Sequence, residues 1–354
     1  MAPPTGSSSG GAPTSSSESG PASSPAGGAP DGKLATLTTI TQYGGEATTS
    51  GPEEYAAQAE GIYAKYNLKV NKVKIAGVTA SQVQALAADK TGMAFAGGDL
   101  ADEMLVADKS DDANPLVAVT AGETLNPVAV FFLKSSGITK PSDLVGKKIG
   151  VPNGSTSAEY LDVFLAKEGI SKNQVTIENI SFATQAAALM AKKVDATAQF
   201  VRAKGSLTNL GKQNNEEIGS FVFGDFGIAA PLSATLVQQR LVTEHPDVAK
   251  AIALANAEAT QFCVVNPEQC MRDYVAANAG VNYDNALVEW KTNVSDGSTW
   301  DASVVAKQTP AQFGYFDADL IAKTVPELET LFSMKTKFDP TTLFTNQFMQ
   351  APGS

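Results

Sequence analysis

SGITKPSDLVGKKIGVPNGSTSAEYLDVFLAKEGISKNQVTIENISFATQAAALMAKKVDATAQF, residues 136–200, decides the fold. KKIGV (147–151) is a short apolar strand. It feeds a Gly/Ser/Thr loop, and the loop opens a helix. A second strand at VTIEN (175–179), a second helix and a third strand at VDATAQF (194–200) follow. Strands alternating with helices specify a parallel α/β lobe. The loop places helix N-terminal NH groups at the strand ends, where a small molecule can be held. No catalytic group sits in that loop, which points to capture rather than chemistry.

Upstream the same alternation occurs. LATLTTITQY (34–43) has the two-residue period of a strand. A loop and helix follow, with Pro52 in the first helical turn and Glu53 and Glu54 at the positive end of its dipole. KVNKVKIAG (69–77), TASQVQALAADKTG (79–92) and MAFAGG (93–98) read as strand, helix and strand. DLADEMLVADKS (99–110) is a helix; PLVAVTAGE (115–123) and VAVFFLK (128–134) are strands. Downstream, residues 219–237 read as extended chain, and helices at 246–265, 267–279, 283–294, 311–323 and 326–338 complete the chain. Two α/β units and a helical tail predict two lobes around a cleft, with the ligand at the strand ends.

Composition narrows the function. The 354 residues are 43% hydrophobic, enough for a full core. A net charge of −11 makes nucleic acid and anionic membrane surfaces poor partners. The first 33 residues are almost all Gly, Ser, Pro, Ala and Thr. Such a segment buries too little apolar surface to fold and reads as a disordered tether. Two origins fit it: the leader of a surface lipoprotein cut at its lipidation site, with Met1 as a start residue, or an incidental tail. No run of eighteen apolar residues occurs, so the body is expected to be soluble. The two cysteines, Cys263 and Cys270, flank the helix break at Asn266-Pro267. A disulfide suits an exported protein, and two semi-buried thiols are the other reading. The single histidine, His245, lies far from both cysteines, so neither a metal site nor a histidine-based nucleophile is expected.

Four stretches resemble the solute-binding subunits of bacterial ABC importers for sulfonates, nitrate, taurine and thiamine pyrimidines. They are AQAEGIYAKYNLKV (57–70), SQVQALAADKTGMAFAGGDL (81–100), SDLVGKKIGVPNGSTSAEYL (142–161) and AALMAKKVDATAQF (187–200). The resemblance covers about Leu34 to Phe348. Lys193 departs from it, standing where the family usually has Gly before Val194-Asp195-Ala196. It implies an α/β, two-lobed type II periplasmic-binding fold, each lobe a mixed sheet flanked by helices. Lobe 1 would comprise 34–125 plus 230–354, and lobe 2 would be 126–229, hinged by two crossing strands. It further implies a monomer outside the cytoplasm, periplasmic or held at the cell surface by an N-terminal lipid. That protein would deliver a small organic molecule to permease subunits, without cofactor, metal or enzymatic activity.

Each candidate contact has a structural alternative. Ser155, Thr156 and Ser157 can hold a carboxylate, a sulfonate or a polar ring edge, or can serve only as a capping box running from Thr156 to Glu159. Tyr43 can stack on a ligand or belong to the core. Thr49 and Ser50 can offer NH groups or form a turn. Gly98 permits close approach, and Asp99 accepts from the ligand or caps the following helix. Gln199, Phe200 and Arg202 sit just past VDA, at the end of the third strand of the second unit; Arg202 can fork onto an anion or lie on the surface. Asn126 and Asp225 flank the crossovers. Arg202 with the Ser/Thr loop favours a carboxylate or sulfonate, aromatic or aliphatic. A neutral heterocycle, such as a pyrimidine or flavin, is the rival, and an enzyme or sensor on the same fold is a further alternative.

Overall fold

The computed structural model describes residues 31–45, 51–76, 79–109, 114–297 and 300–352. In chain order the first unit contains β1 (Thr38–Gly44), α1 (Glu53–Ala59), α2 (Ile62–Lys65), β2 (Leu68–Lys74), α3 (Thr79–Ala87), β3 (Ala94–Asp99), α4 (Leu100–Lys109) and β4 (Leu116–Ala121). The second contains β5 (Val128–Leu133), β6 (Lys148–Val151), α5 (Thr156–Lys167), β7 (Thr176–Asn179), α6 (Phe182–Met190), β8 (Ala196–Phe200), α7 (Ala203–Gln213) and β9 (Ile218–Val222). The chain then returns through β10 (Ser233–Gln238), α8 (Gln239–Glu244), α9 (Pro246–Val265), α10 (Pro267–Ala277), α11 (Tyr283–Thr292), α12 (Ala302–Val305), α13 (Pro310–Phe313) and α14 (Ala318–Leu331).

The strands form two five-stranded mixed sheets, ordered β2-β1-β3-β10-β4 and β7-β6-β8-β5-β9. In the first, β1 runs parallel to β2 and β3, while β10 is antiparallel to both β3 and β4. In the second, β6 runs parallel to β7 and β8, and β5 is antiparallel to its neighbours. Strand β5, VAVFFL, between β8 and β9, is buried along its whole length, as its unbroken apolar run requires. The other three strands, β6, β7 and β8, come from the stretch quoted at the start.

The chain passes between the sheets twice, at 122–127 and 223–232. These crossings are irregular chain, where the sequence predicted strands. Two backbone bonds tie them side by side: Gly122 NH to Ser233 O (2.8 Å) and Ser233 NH to Glu123 O (3.0 Å). Asn126 adds a third tie. Its Nδ2 donates to Ala229 O (2.9 Å) and its Oδ1 accepts from Val128 NH (3.0 Å). Asn126 thus holds the crossings together and does not wall the cleft, which corrects the expectation that it contacts the ligand. Asp225 is corrected too: it lies exposed on the 3-10 turn Phe223–Phe226, outside the cleft. That turn is anchored from inside by Phe223, whose ring stacks 4.6 Å from Phe164 of α5.

Helix α9 alone among the described residues is long and apolar enough to cross a membrane. Val248, Ala249, Ala251, Ile252, Ala253 and Ala255 are all buried in the core under the first sheet, and Thr120 Oγ1 bonds Ala253 O at 2.8 Å. Its small residues let it lie close to β4, so it is a core helix here. His245 is exposed at the start of α9, with Pro246 in the first helical turn.

At the far end of α9, Cys263 and Cys270 are bonded to each other and fully buried beside Trp290, whose Nε1 donates to Cys263 O at 2.7 Å. Closing so short a loop contributes about 2–3 kcal/mol in the chain-entropy model. Cys263→Ala/Cys270→Ala should lower stability by that amount in calorimetry under oxidising conditions. Equal melting of the two proteins would show that the bridge does not stabilise this end of the molecule.

Candidate ligand cleft between the two sheets

The carboxyl ends of β1, β3, β4 and β8 and the loop after β6 open onto one cleft of about 660 Å³. This is where open α/β sheets bind ligands, because strand-to-helix loops meet there and backbone groups are left free of the ladder. Gln42, Gly97, Gly98, Asp99 and Thr120 line the side of the first sheet. Ser155, Thr156, Gln199, Phe200 and Arg202 line the other. A third wall comes from α10 and α11 through Tyr274, Glu289 and Trp290, with Asn293 just beyond them.

The loop of GSTS divides its labour. Ser155 is the N-cap of α5: its Oγ accepts from Ala158 NH (3.2 Å) and donates to Pro152 O (2.7 Å). The cap is therefore one residue earlier than the predicted box from Thr156 to Glu159. Thr156 lines the cleft. Ser157, fully buried, is not among the cleft residues; the helix carries it round to the protein interior, which corrects its assignment. In the turn before β8 the left-handed residue is Lys192 (φ 54°).

Tyr43 does not line the cleft. Successive side chains of a strand point to opposite faces, and β1 presents Gln42 to the cleft instead. Tyr43 Oη donates to Asp89 Oδ2 at 2.8 Å, and the ring packs against the core. Thr49 and Ser50 lie outside the described residues. Asp99 does both things expected of it: it lines the cleft, and its Oδ1 accepts from Asp102 NH at 2.7 Å, capping α4. Burial pushes its carboxyl up to about 7. Gln199 donates to Thr197 Oγ1 at 3.0 Å, so its amide is partly engaged. The Arg202 guanidinium stacks over Phe200, 4.6 Å from the ring centroid, and makes no ion pair among the described residues.

Several groups of the cleft were not singled out from the sequence. Gln42 and Gln82 are 2% and 3% exposed, and neither Nε2 has a hydrogen-bond partner among the described residues. An unpaired buried amide costs about 1–3 kcal/mol, so two of them on one cavity wall mark places where a ligand's acceptor would be stabilising. The alternation TITQY carried the signal for Gln42: a polar side chain on the buried face of a core strand. Glu53, Glu54, Glu123 and Glu289 add carboxylates. Glu54 is neutralised by Lys72 at 2.6 Å, Glu289 accepts from Ser206 Oγ at 2.7 Å, and Glu123 accepts from the Asn293 amide. Glu53 Oε2 has no partner among the described residues, and burial, with Glu54 and Glu123, pushes its carboxyl up to about 7 against a backbone NH bond to the carboxyl and the field of Arg202.

Two mixed sheets flanked by helices, joined by a double crossing and opening onto a shared cleft, define the type II periplasmic-binding fold. The aliphatic sulphonate binding protein SsuA of Escherichia coli has this fold, with a TM-score of 0.64 at 14% identity over 86% of this chain and 96% of that one. So does the alkanesulfonate-binding protein SsuA from Xanthomonas axonopodis pv. citri bound to MOPS, with a TM-score of 0.62 at 17% identity over 88% and 98%. The NMT1/THI5 like family model matches residues 52–270, and the chain belongs to that family. The taurine-binding periplasmic protein of Escherichia coli (strain K12) is 29% identical over 222 residues, 62% of this chain and 66% of that protein. The chain spans about half to two thirds of the length of the curated relatives it matches.

Proposed function

We propose that this protein is the extracytoplasmic solute-binding component of an ABC importer, which captures a small organic molecule by closing its two lobes upon it. The observation that carries the reading is the pair of buried amides, Gln42 and Gln82, whose Nε2 groups have no partner among the described residues, on the wall of a cleft between the two sheets. The likeness to the taurine-binding protein of Escherichia coli supports the same class of solute. In this reading 34–125 plus 230–354 forms lobe 1, 126–229 forms lobe 2, and the segment 1–33 tethers a monomer to the membrane through a lipid. Permease subunits are the partners, and no turnover is expected. The ligand contacts would be Gln42, Gln82, Gly98, Asp99, Thr156, Gln199, Phe200 and Arg202.

The reading is tested by thermal-shift screening against sulfonates, carboxylates, nitrate, pyrimidines and flavins, since a ligand bound only by the folded state raises the melting temperature. Gln42→Ala/Gln82→Ala should weaken the best ligand by about 1–3 kcal/mol, because two hydrogen bonds are lost. Isothermal titration gives the value. Unchanged affinity would remove these amides from the site.

A further inference from the structure

A second cavity, of about 740 Å³, lies against the first sheet at the opposite end of β4 from the cleft. Leu116, at the start of β4, lines it, whereas Thr120, near the end of that strand, lines the cleft; the two cavities have no described residue in common. Its outer wall is the segment 338–347, which follows α14 and runs along the free edge of β4. That wall is fixed. Ala118 NH donates to Leu343 O and Thr345 NH donates to Ala118 O, both at 2.9 Å. Phe338 NH donates to Glu329 Oε1 at 2.7 Å, and Asn346 exchanges two bonds of 2.9 Å with the Phe316 backbone. The lining is largely apolar, with Val106, Leu116, Val242, Phe338 and Phe344 among it.

Glu103 departs from that pattern. In α4, Glu103, Val106 and Ala107 fall at i, i+3 and i+4, so they share one face of the helix, and all three line the cavity. Glu103 is 3% exposed, and its Oε2 has no hydrogen-bond partner among the described residues. A buried carboxyl without a partner is destabilising, and a leucine or valine here would continue the apolar stripe without that cost. Lys337, on the outer wall's approach, is committed to Glu329 at 2.8 Å. Burial pushes the Glu103 carboxyl well above the ordinary range, and Asp99 adds to it, so the field at this carboxyl is negative.

We propose that this cavity is a second ligand site, separate from the cleft, which takes an amphiphilic amine: an ammonium group pairs with Glu103, and an apolar body lies against Leu116, Val242 and Phe344. The volume is that of an ordinary small-molecule pocket, apolar with one placed polar group. An anion would meet the repulsion of Glu103 and Asp99 together. A neutral molecule with the same body would fill the apolar space and give the carboxyl no counter-charge. A charge-assisted bond to Glu103 accounts for a preference of at least about tenfold for an amine over the corresponding alcohol.

The test follows the amide resonances of the isotope-labelled full chain during titration, to millimolar concentration, with hexylammonium and with 1-hexanol as its neutral counterpart. Hexylammonium should shift the amides of 103–107, 116–118 and 342–345, leave those of 97–99 and 199–202 at the cleft in place, and bind at least about tenfold tighter than 1-hexanol. Glu103→Gln should remove that preference while both molecules still bind. Ala107→Trp, at the exposed rim of the cavity, should block both, with the circular dichroism spectrum unchanged in each variant. Equal binding of the two probes, no shifts at the cavity, or a preference that survives in Glu103→Gln would overturn the proposal. Each of these results leaves solute capture standing, because that reading rests on the cleft at the other end of β4.

Discussion

Gly205→Leu should weaken ligand binding by about 5–150-fold while leaving every side chain of the cleft in place. Gly205 lies in α7, on the second lobe, and packs against α11, which follows the return of the chain to the first. A Cβ at Gly205 would fall against Val288 Cγ1 and 2.6 Å from Thr292 Oγ1. The two helices approach this closely only because position 205 has no side chain, and Ser206 Oγ bonds Glu289 Oε1 next to it. Glycine inside a helix costs about 0.5–1 kcal/mol relative to alanine, so helix propensity alone would make any larger residue stabilising here. Forced overpacking costs about 1–3 kcal/mol. That strain falls only on the arrangement in which α7 touches α11 and is relieved when the lobes part. A ligand that needs the closed arrangement then meets a smaller competent population, and its apparent dissociation constant rises in proportion. Small-angle scattering should show a larger radius of gyration without ligand, and titration should show the affinity loss. Unchanged affinity would mean that contact between these helices is not part of the binding-competent state.

The second large effect is on stability against pH. Burial pushes the Asp102 and Glu103 carboxyls well above the usual range, and neighbouring Asp99 adds to both. These two residues are 2% and 3% exposed, and one oxygen of each has no partner among the described residues. Asp99 and Glu53 are pushed up to about 7. A carboxyl raised in the folded state contributes stability that is full below its unfolded value, near 4, and is lost as pH rises through the folded value. One group moved from about 4 to about 7 accounts for about 4 kcal/mol lost by pH 8. Below pH 4 the opposite holds, because Asp89, bonded by Thr91, Tyr43 and Gly92, is lowered, and protonating it removes those bonds. Maximum stability should thus fall near pH 4. Asp102→Asn should raise the melting temperature at pH 8, change it little at pH 4, and flatten the profile between. A melting temperature that climbs from pH 5 to pH 8 in the unmodified protein would show that these carboxyls are ionised in the folded state.

Strand and helix alternation was legible in the sequence because each element carries its own period: TITQY for β1, VAVFFL for a strand buried on both faces, and VDATAQF for β8. The sequence also marked the general position of the cleft, since Gly98 and Gln199 end, and Thr156 and Arg202 follow, strands whose carboxyl ends must meet in such a fold. What it could not determine was which way individual side chains face and which partners they find. Tyr43 and Gln42 exchanged roles because a shift of one residue along a strand reverses the face. Ser157 left the cleft because the cap of α5 falls on Ser155. Asn126 became a tie between crossings because its partners, Ala229 and Ile228, lie a hundred residues away. The carboxylate excess around Arg202 was invisible for the same reason: Glu53, Glu123 and Glu289 come from three distant segments, and only tertiary packing places them in one low-dielectric cavity, where their charges act on each other and on whatever enters.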